Sequence, residues 1–152
     1  MWDTLFGAAN TLALVAWAAL ILLPRWEALL TAVLYLGIGL LCMIYATVLV
    51  LVLTGVVVTG NAGADFTTIE GVRSIFASDV GVTVGWIHYL AFDLFVGLWI
   101  ARDGDAKGLS RWLQAPVLAA TFIAGPLGLF LWMVIREPAA RRLHGRPSRI
   151  RR

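Results

Sequence analysis

The apolar stretch GVTVGWIHYLAFDLFVGLWI, residues 81–100, decides the fold because it is long enough to cross a membrane and yet carries ionisable groups. A helix over these residues covers about 30 Å, the thickness of the hydrocarbon core of a bilayer. Asp93 lies near its middle. Inserting an aspartate at that depth costs roughly 2.5–3.5 kcal/mol, so it is tolerated only where it faces protein, water or a bound ligand. We therefore predict that the chemistry of this protein is centred on this stretch.

The composition excludes an ordinary soluble domain. Hydrophobic residues make up 61% of the 152 residues and charged residues only 14%, whereas soluble domains carry about 25% charged residues. We predict an all-α, polytopic membrane protein with one domain over residues 1–137. Its four antiparallel transmembrane helices are expected at about residues 5–23, 29–53, 81–100 and 116–135.

Two local signals refine this architecture. Between the second and third spans, Thr67 and Glu70 have the spacing of a capping box, with Thr67 as the N-cap. This predicts a short amphipathic helix over residues 68–77, lying at the membrane surface. In the last span, Gly125 and Pro126 predict a kink, because proline frees a backbone carbonyl one turn earlier.

The basic end of the chain predicts its orientation. Seven of the 12 Lys and Arg residues lie between Arg136 and Arg152. We predict that residues 138–152 form a disordered basic tail on anionic lipid. The positive-inside rule then makes this tail cytoplasmic. With four spans, both termini are expected on the cytoplasmic side of the membrane.

The residue types present limit the chemistry. The chain has two histidines and one cysteine, Cys42, so neither a histidine-rich metal site nor a disulfide is expected. We predict no metal and no cofactor, and acid–base chemistry remains. His88 is the candidate base and Asp93 the candidate acid; they lie about 140° apart around a regular helix, so they would flank a ligand instead of touching.

Further residues are candidates for binding the substrate, because they lie beside this pair or near the mouth of the site: Trp86, Tyr89, Glu70, Arg73, Asp79 and Pro126. Tyr89 comes one turn before Asp93 and is expected to orient it. A structural role is the competing interpretation, in which Asp93 only bonds a neighbouring helix.

The strings Trp86-Ile87-His88-Tyr89 and Asp93-Leu94-Phe95, followed by Gly125-Pro126-Leu127-Gly128, resemble the abscisic acid-deficient protein four family. The resemblance covers roughly residues 3–137, and the basic Arg-rich end that the plant members lack implies a bacterial inner-membrane protein. The family's plant members are plastid membrane proteins needed to make neoxanthin from violaxanthin. That conversion turns an epoxide into an allenic alcohol, an isomerisation that needs a base and an acid but no redox cofactor.

The resemblance implies a cofactor-free isomerase or binder of a carotenoid or another isoprenoid lipid, with His88 and Asp93 in the catalytic roles. The alternative is a non-catalytic membrane protein that holds lipid or a partner helix. In either case we expect membrane lipid as a partner and no nucleic acid, and a homo-oligomer is left open.

Overall fold

The computed structural model describes residues 1–59 and 64–144, and these contain helices and turns but no β-strand. The predicted all-α class is confirmed. The second long helix is continuous: Glu27–Ala32 passes through a π-helical segment, Val33–Gly39, into Leu40–Leu53. In chain order the elements are α1 (Trp2–Leu22), α2 (Glu27–Ala32), the π-helical segment (Val33–Gly39), α3 (Leu40–Leu53), α4 (Ile69–Ile75), α5 (Asp79–Ala106), α6 (Arg111–Ile123) and α7 (Gly125–His144).

Within the described ranges, three helices are long and apolar enough to cross a membrane: Trp2–Leu22, Glu27–Leu53 and Asp79–Ala106. They overlap the first three predicted spans and indicate an integral membrane protein. Their outer faces expose large apolar side chains that suit contact with lipid, among them Leu14, Val15, Leu36, Val50 and Phe95.

The central helix is α5, which packs against α1, the π-helical segment, α3, α6 and α7. Small residues allow this close packing. The buried Trp17 ring occupies the place that a side chain at Gly97 would fill, and a side chain at Gly37 would meet Ala16 and Leu94. Glycine at such positions lets membrane helices approach closely, and their association depends on this contact.

The segment predicted as a fourth span folds back on itself. Helix α6 ends at Ile123, Ala124 is extended, and α7 begins at Gly125. The end of α6 reaches the middle of α5, where the Tyr89 hydroxyl donates to the Ile123 carbonyl at 2.9 Å. Helix α7 then returns toward the C-terminal end of α5, where Trp132 Nε1 donates to Asp103 at 2.9 Å.

A kinked but continuous span would not allow that last contact. Gly125 lies against Asp93. If the helix continued from Gly125 in the direction of α6, Trp132, seven residues later, would lie at the level of Trp86. Asp103 lies on the opposite side of Asp93, so Trp132 could not reach it. The predicted count of four spans is therefore not confirmed, and Gly125-Pro126 begins a returning helix where we expected a kink.

Ion pairs hold the returning helix at the end of α5. Arg136 pairs with Asp103 at 3.4 Å, and Lys107 pairs with Glu137 at 3.4 Å. The guanidinium of Arg136 also lies 5.3 Å from the centre of the Trp99 ring. Anchored in this way, α7 continues to His144. Residues 138–144 are thus helical where we predicted a disordered tail, and the rest of that tail lies outside the described residues.

Helix α4 is the predicted short helix, although its cap differs by one residue. Thr68 is the N-cap, and its hydroxyl accepts from the Gly71 amide at 3.0 Å. Thr67, the predicted cap, instead gives its amide and its hydroxyl to Asp65, at 2.7 and 2.8 Å. Glu70 consequently occupies the second helical position.

The Asp65 carboxylate makes the start of α4 sensitive to acid. Hydrogen bonds from the side chain and amide of Thr67, and from the amide of Thr68, hold the pKa of Asp65 below its ordinary value. A lowered pKa means that folding favours the ionised form, so this stabilisation is present above the ordinary aspartate pKa of about 3.9 and is lost as the pH falls further.

We expect the amides of Thr67 and Thr68 to lose hydrogen-exchange protection, after correction for the intrinsic rate, as the pH falls below about 4. Asp65→Ala should remove the protection at neutral pH. Protection that persists in Asp65→Ala would show that Asp65 does not hold this turn.

Candidate functional site

The structure separates the predicted site residues into two places on α5. His88 faces a groove between α5, α3 and α4. Asp93 and Tyr89 instead face the point at which the chain turns back between α6 and α7. The predicted catalytic pair is therefore not brought together, as the 140° separation around the helix had indicated.

The groove at His88 is a concave and mainly apolar space of about 460 Å³. This volume falls in the range of roughly 300–1,000 Å³ that is usual for small-molecule sites. Of the described residues that line it, three carry polar side chains, namely Tyr45, Thr59 and His88. The apolar walls come from the C-terminal half of α3, from α4 and from the first turns of α5, including Leu49, Val52, Phe66, Phe76 and Val84.

Two aromatic rings position His88 at the wall of the groove. The centre of the imidazole lies 4.6 Å from the centre of the Phe92 ring and 5.5 Å from that of Tyr45. Phe92 lies one turn after His88 on the same helix, and Tyr45 comes from α3. The imidazole remains solvent- or lipid-accessible between them, so it can accept a proton from a group bound in the groove.

The side chain of Asp93, in the middle of α5, lies against the start of α7. Its side chain is buried, with 7% of the residue exposed, and a side chain added at Gly125 would collide with its carboxyl group. The first amides of a helix carry a partial positive charge, so this contact places the carboxyl at the electropositive end of α7. Asp93 Oδ2 has no hydrogen-bond partner among the described residues.

Tyr89 satisfies the other side of the same turn. Its hydroxyl donates to the carbonyl of Ile123, one of the last carbonyls of α6, which have no partner within their own helix. An unpaired backbone group in lipid costs several kcal/mol. Together, Asp93 and Tyr89 therefore contact both sides of the turn between α6 and α7.

Trp86 forms the rim of this second place. Its ring stacks on Phe6 and on Tyr89, with centres 5.8 and 5.2 Å apart, and its Nε1 donates to Asn10 at 3.0 Å. These contacts join α1 to α5 and hold the Tyr89 ring in line with Ile123. They assign Trp86 a structural contact, and its predicted role in binding substrate stays a prediction.

The other predicted residues lie elsewhere. Glu70 and Arg73 are exposed on α4, and Pro126 is exposed in the first turn of α7. Asp79 lines a separate cavity of about 190 Å³ with Asp3 and Trp2. None of these four lines the groove at His88. Among the described residues, no three His, Cys, Asp or Glu side chains are close enough to hold a metal ion.

Tyr45 and Phe92 are not among the residues predicted for the site. Both are aromatic residues in apolar runs, where spacing does not distinguish a lipid-facing ring from one that lines a groove. Gly125 was noted only for a kink. The contact it makes with Asp93 joins positions 32 residues apart, and no local pattern reports such a contact.

One comparison with known proteins identifies a family for this chain. The model of the ABA DEFICIENT 4-like family matches residues 4–132, which include α1 to α6 and the first part of α7. No curated protein and no solved structure matches the chain.

The contact between Gly125 and Asp93 is tested by a double-mutant cycle. Gly125→Ala should destabilise the protein in detergent or bilayer by about 1–3 kcal/mol, because the new methyl group collides with the carboxyl group. In an Asp93→Ala background the same substitution should cost far less, since the obstructing group is gone. Gly7→Ala is the matched control, because Gly7 has open space around it. Equal costs in both backgrounds would contradict the contact.

Proposed function

The chain belongs to the ABA DEFICIENT 4-like family, and on this premise we propose that it binds the ring end of a carotenoid or related isoprenoid in the groove at His88 and isomerises it without a cofactor. The observation that supports the proposal is the groove itself, an apolar space of about 460 Å³ whose wall carries an imidazole and a phenol side by side. A polyene suits such a space because its end group can enter while its chain stays among lipid and apolar side chains.

The proposed chemistry uses two neighbouring residues. His88 accepts a proton from the polyene carbon next to the epoxide-bearing ring. The electron pair of that C–H bond forms the second double bond of the allene as the C–O bond of the epoxide breaks. The oxygen takes the proton of the Tyr45 hydroxyl, and the imidazolium then returns a proton to the Tyr45 oxygen. Atoms and electrons balance, so neither oxidant nor reductant enters.

This assignment changes the partner of His88. We predicted Asp93 as the acid, but Asp93 lies against Gly125 and not in the groove. Tyr45 is the hydroxyl-bearing residue whose ring contacts His88. The catalytic role of Asp93 stays a prediction, for which its unpaired Oδ2 is the relevant atom.

The alternative of a non-catalytic binder also has a specific observation in its favour. None of the described residues that line the groove carries a carboxyl group that could act as the acid. In this case the same groove holds an isoprenoid lipid, and His88 only hydrogen-bonds to its polar end. The two functions share the binding site and differ in whether the ligand is converted.

We expect His88→Gln to keep the ligand and to lose turnover. Glutamine preserves hydrogen bonding but cannot act as a base, so isomerisation of an epoxycarotenoid should fall at least about 100-fold, the usual contribution of a positioned base. The measurement is chromatography of pigments after incubation with the purified protein. His144→Gln, which changes the second histidine of the chain, is the matched control and should not alter the rate.

Binding is tested separately by filling the groove. Leu49→Trp should abolish co-purification of polyene from a carotenoid-producing host, because Leu49 lines the groove, whereas Leu14→Trp, on an exposed face of α1, should not. If wild-type protein carries polyene but never converts it, the protein is a binder. Polyene retained in Leu49→Trp would contradict the groove as the site.

A further inference from the structure

The lengths of α6 and α7 bear on how this part of the chain meets the membrane. Helix α6 has 13 residues and covers about 20 Å. The part of α7 between Gly125 and Arg136 covers about 18 Å. Neither reaches across a hydrocarbon core of about 30 Å. The turn between them lies against Asp93, 14 residues after the start of α5 and 13 before its end, at mid-depth of the long central helix.

Both arms have their polar ends at the same end of α5. The first turn of α6 is tied there by Gln114, which donates to Asp105 at 3.1 Å, and Arg25 in the turn after α1 pairs with the same carboxylate at 3.1 Å. The polar end of α7 is tied there by Arg136 and Glu137. We propose that α6 and α7 form a re-entrant hairpin, which enters the membrane and leaves it on the same side.

The distribution of cationic side chains supports this arrangement independently. The cationic end, defined here as the C-terminal end of α5 with the turns and helix ends packed around it, carries Arg25, Arg102, Lys107, Arg111, Arg136 and Arg141. Four more arginines, Arg146, Arg149, Arg151 and Arg152, follow α7 in the sequence. The opposite end carries Arg73 on α4, together with Asp3, Asp65, Glu70 and Asp79.

A re-entrant hairpin therefore segregates charge far more completely than four spans do. With four spans, Arg25, Arg102, Lys107 and Arg111 would lie across the membrane from the basic tail. With the hairpin they lie on the same side as Arg136 and Arg141, and of the lysines and arginines whose side chains the structure describes Arg73 alone lies on the other side. The positive-inside rule favours this arrangement and makes the cationic end cytoplasmic. The expectation that both termini are cytoplasmic is replaced, since Met1 lies at the opposite end.

The arrangement also identifies the leaflet from which the ligand comes. The groove at His88 is lined by the end of α3, by α4 and by the first turns of α5, all at the end opposite the cationic end. It therefore opens in the outer leaflet. The leaflet of the ligand rests on the proposed function, because it is the ligand of that groove. A carotenoid or isoprenoid would enter laterally from the outer leaflet without passing the cationic end.

Labelling of single cysteines with a membrane-impermeant maleimide tests the proposal. The host is a bacterium whose outer membrane is permeabilised, and Cys42→Ala supplies the background. We expect Thr4→Cys and Ala77→Cys to label in intact cells. Ala106→Cys and Ser148→Cys should label only after the inner membrane is opened. Arg141→Cys, an exposed residue of α7, repeats the test for the tail side.

Each outcome has a distinct consequence. If positions 141 and 148 label together with 77 and not with 106, the chain crosses a fourth time and the hairpin is wrong. If 106 and 148 label together from outside while 77 does not, the orientation and the leaflet are wrong. Labelling of every variant in detergent is the control for folding and expression. The result is independent of ligand, so failure here leaves the groove at His88 untouched, and loss of pigment binding leaves the hairpin untouched.

Discussion

The structure depends on how the backbone between α6 and α7 is stabilised in apolar surroundings. A turn at that depth leaves the last carbonyls of α6 and the first amides of α7 without helical partners. Tyr89 donates to one of these carbonyls, and the carboxyl group of Asp93 lies against Gly125 at the start of α7. Without such partners each backbone group would cost several kcal/mol in lipid. The presence of an aspartate in the middle of α5 thus has a physical explanation in the fold itself.

Two faces of α5 have different contacts. The face of α5 that carries Tyr89 and Asp93 holds the hairpin. His88 points to a different face and meets Tyr45 across an apolar groove. The contact of Asp93 with Gly125 is a packing contact, and its catalytic role stays a prediction. The proposed acid becomes Tyr45, which lies beside the predicted base His88. The two places can be tested by separate mutations, because Asp93 and Tyr89 contact the turn between α6 and α7, whereas His88 contacts Tyr45 and Phe92.

Much of the fold could be predicted from the sequence because apolar runs report membrane helices directly. The lengths of the uncharged runs indicated α1, the second long helix and α5, and the predicted cap of α4, Thr67, was wrong by only one position. The return of α7 could not be predicted, because residues 116–135 are as apolar as a spanning helix and Gly125-Pro126 has the same sequence signal whether the chain bends or reverses. What determines the reversal is distant contact: Trp132 with Asp103, and Asp93 with Gly125.

For the candidate site, helical geometry correctly kept His88 and Asp93 from facing each other, whereas Tyr45 could not be assigned until α3 was placed beside α5.

The distance between the end of α5 and the end of α7 distinguishes a reversed α7 from a continuous fourth helix. Spin labels at Ala106→Cys and Arg141→Cys, in the Cys42→Ala background and in bilayers, report it by pulsed electron paramagnetic resonance. Since Lys107 and Glu137 pair at 3.4 Å, and Arg141 follows one turn later, the reversed hairpin predicts a distance below about 20 Å. A continuous fourth helix leading away from Asp93 would separate the two positions by about 40 Å, and that result would contradict the account.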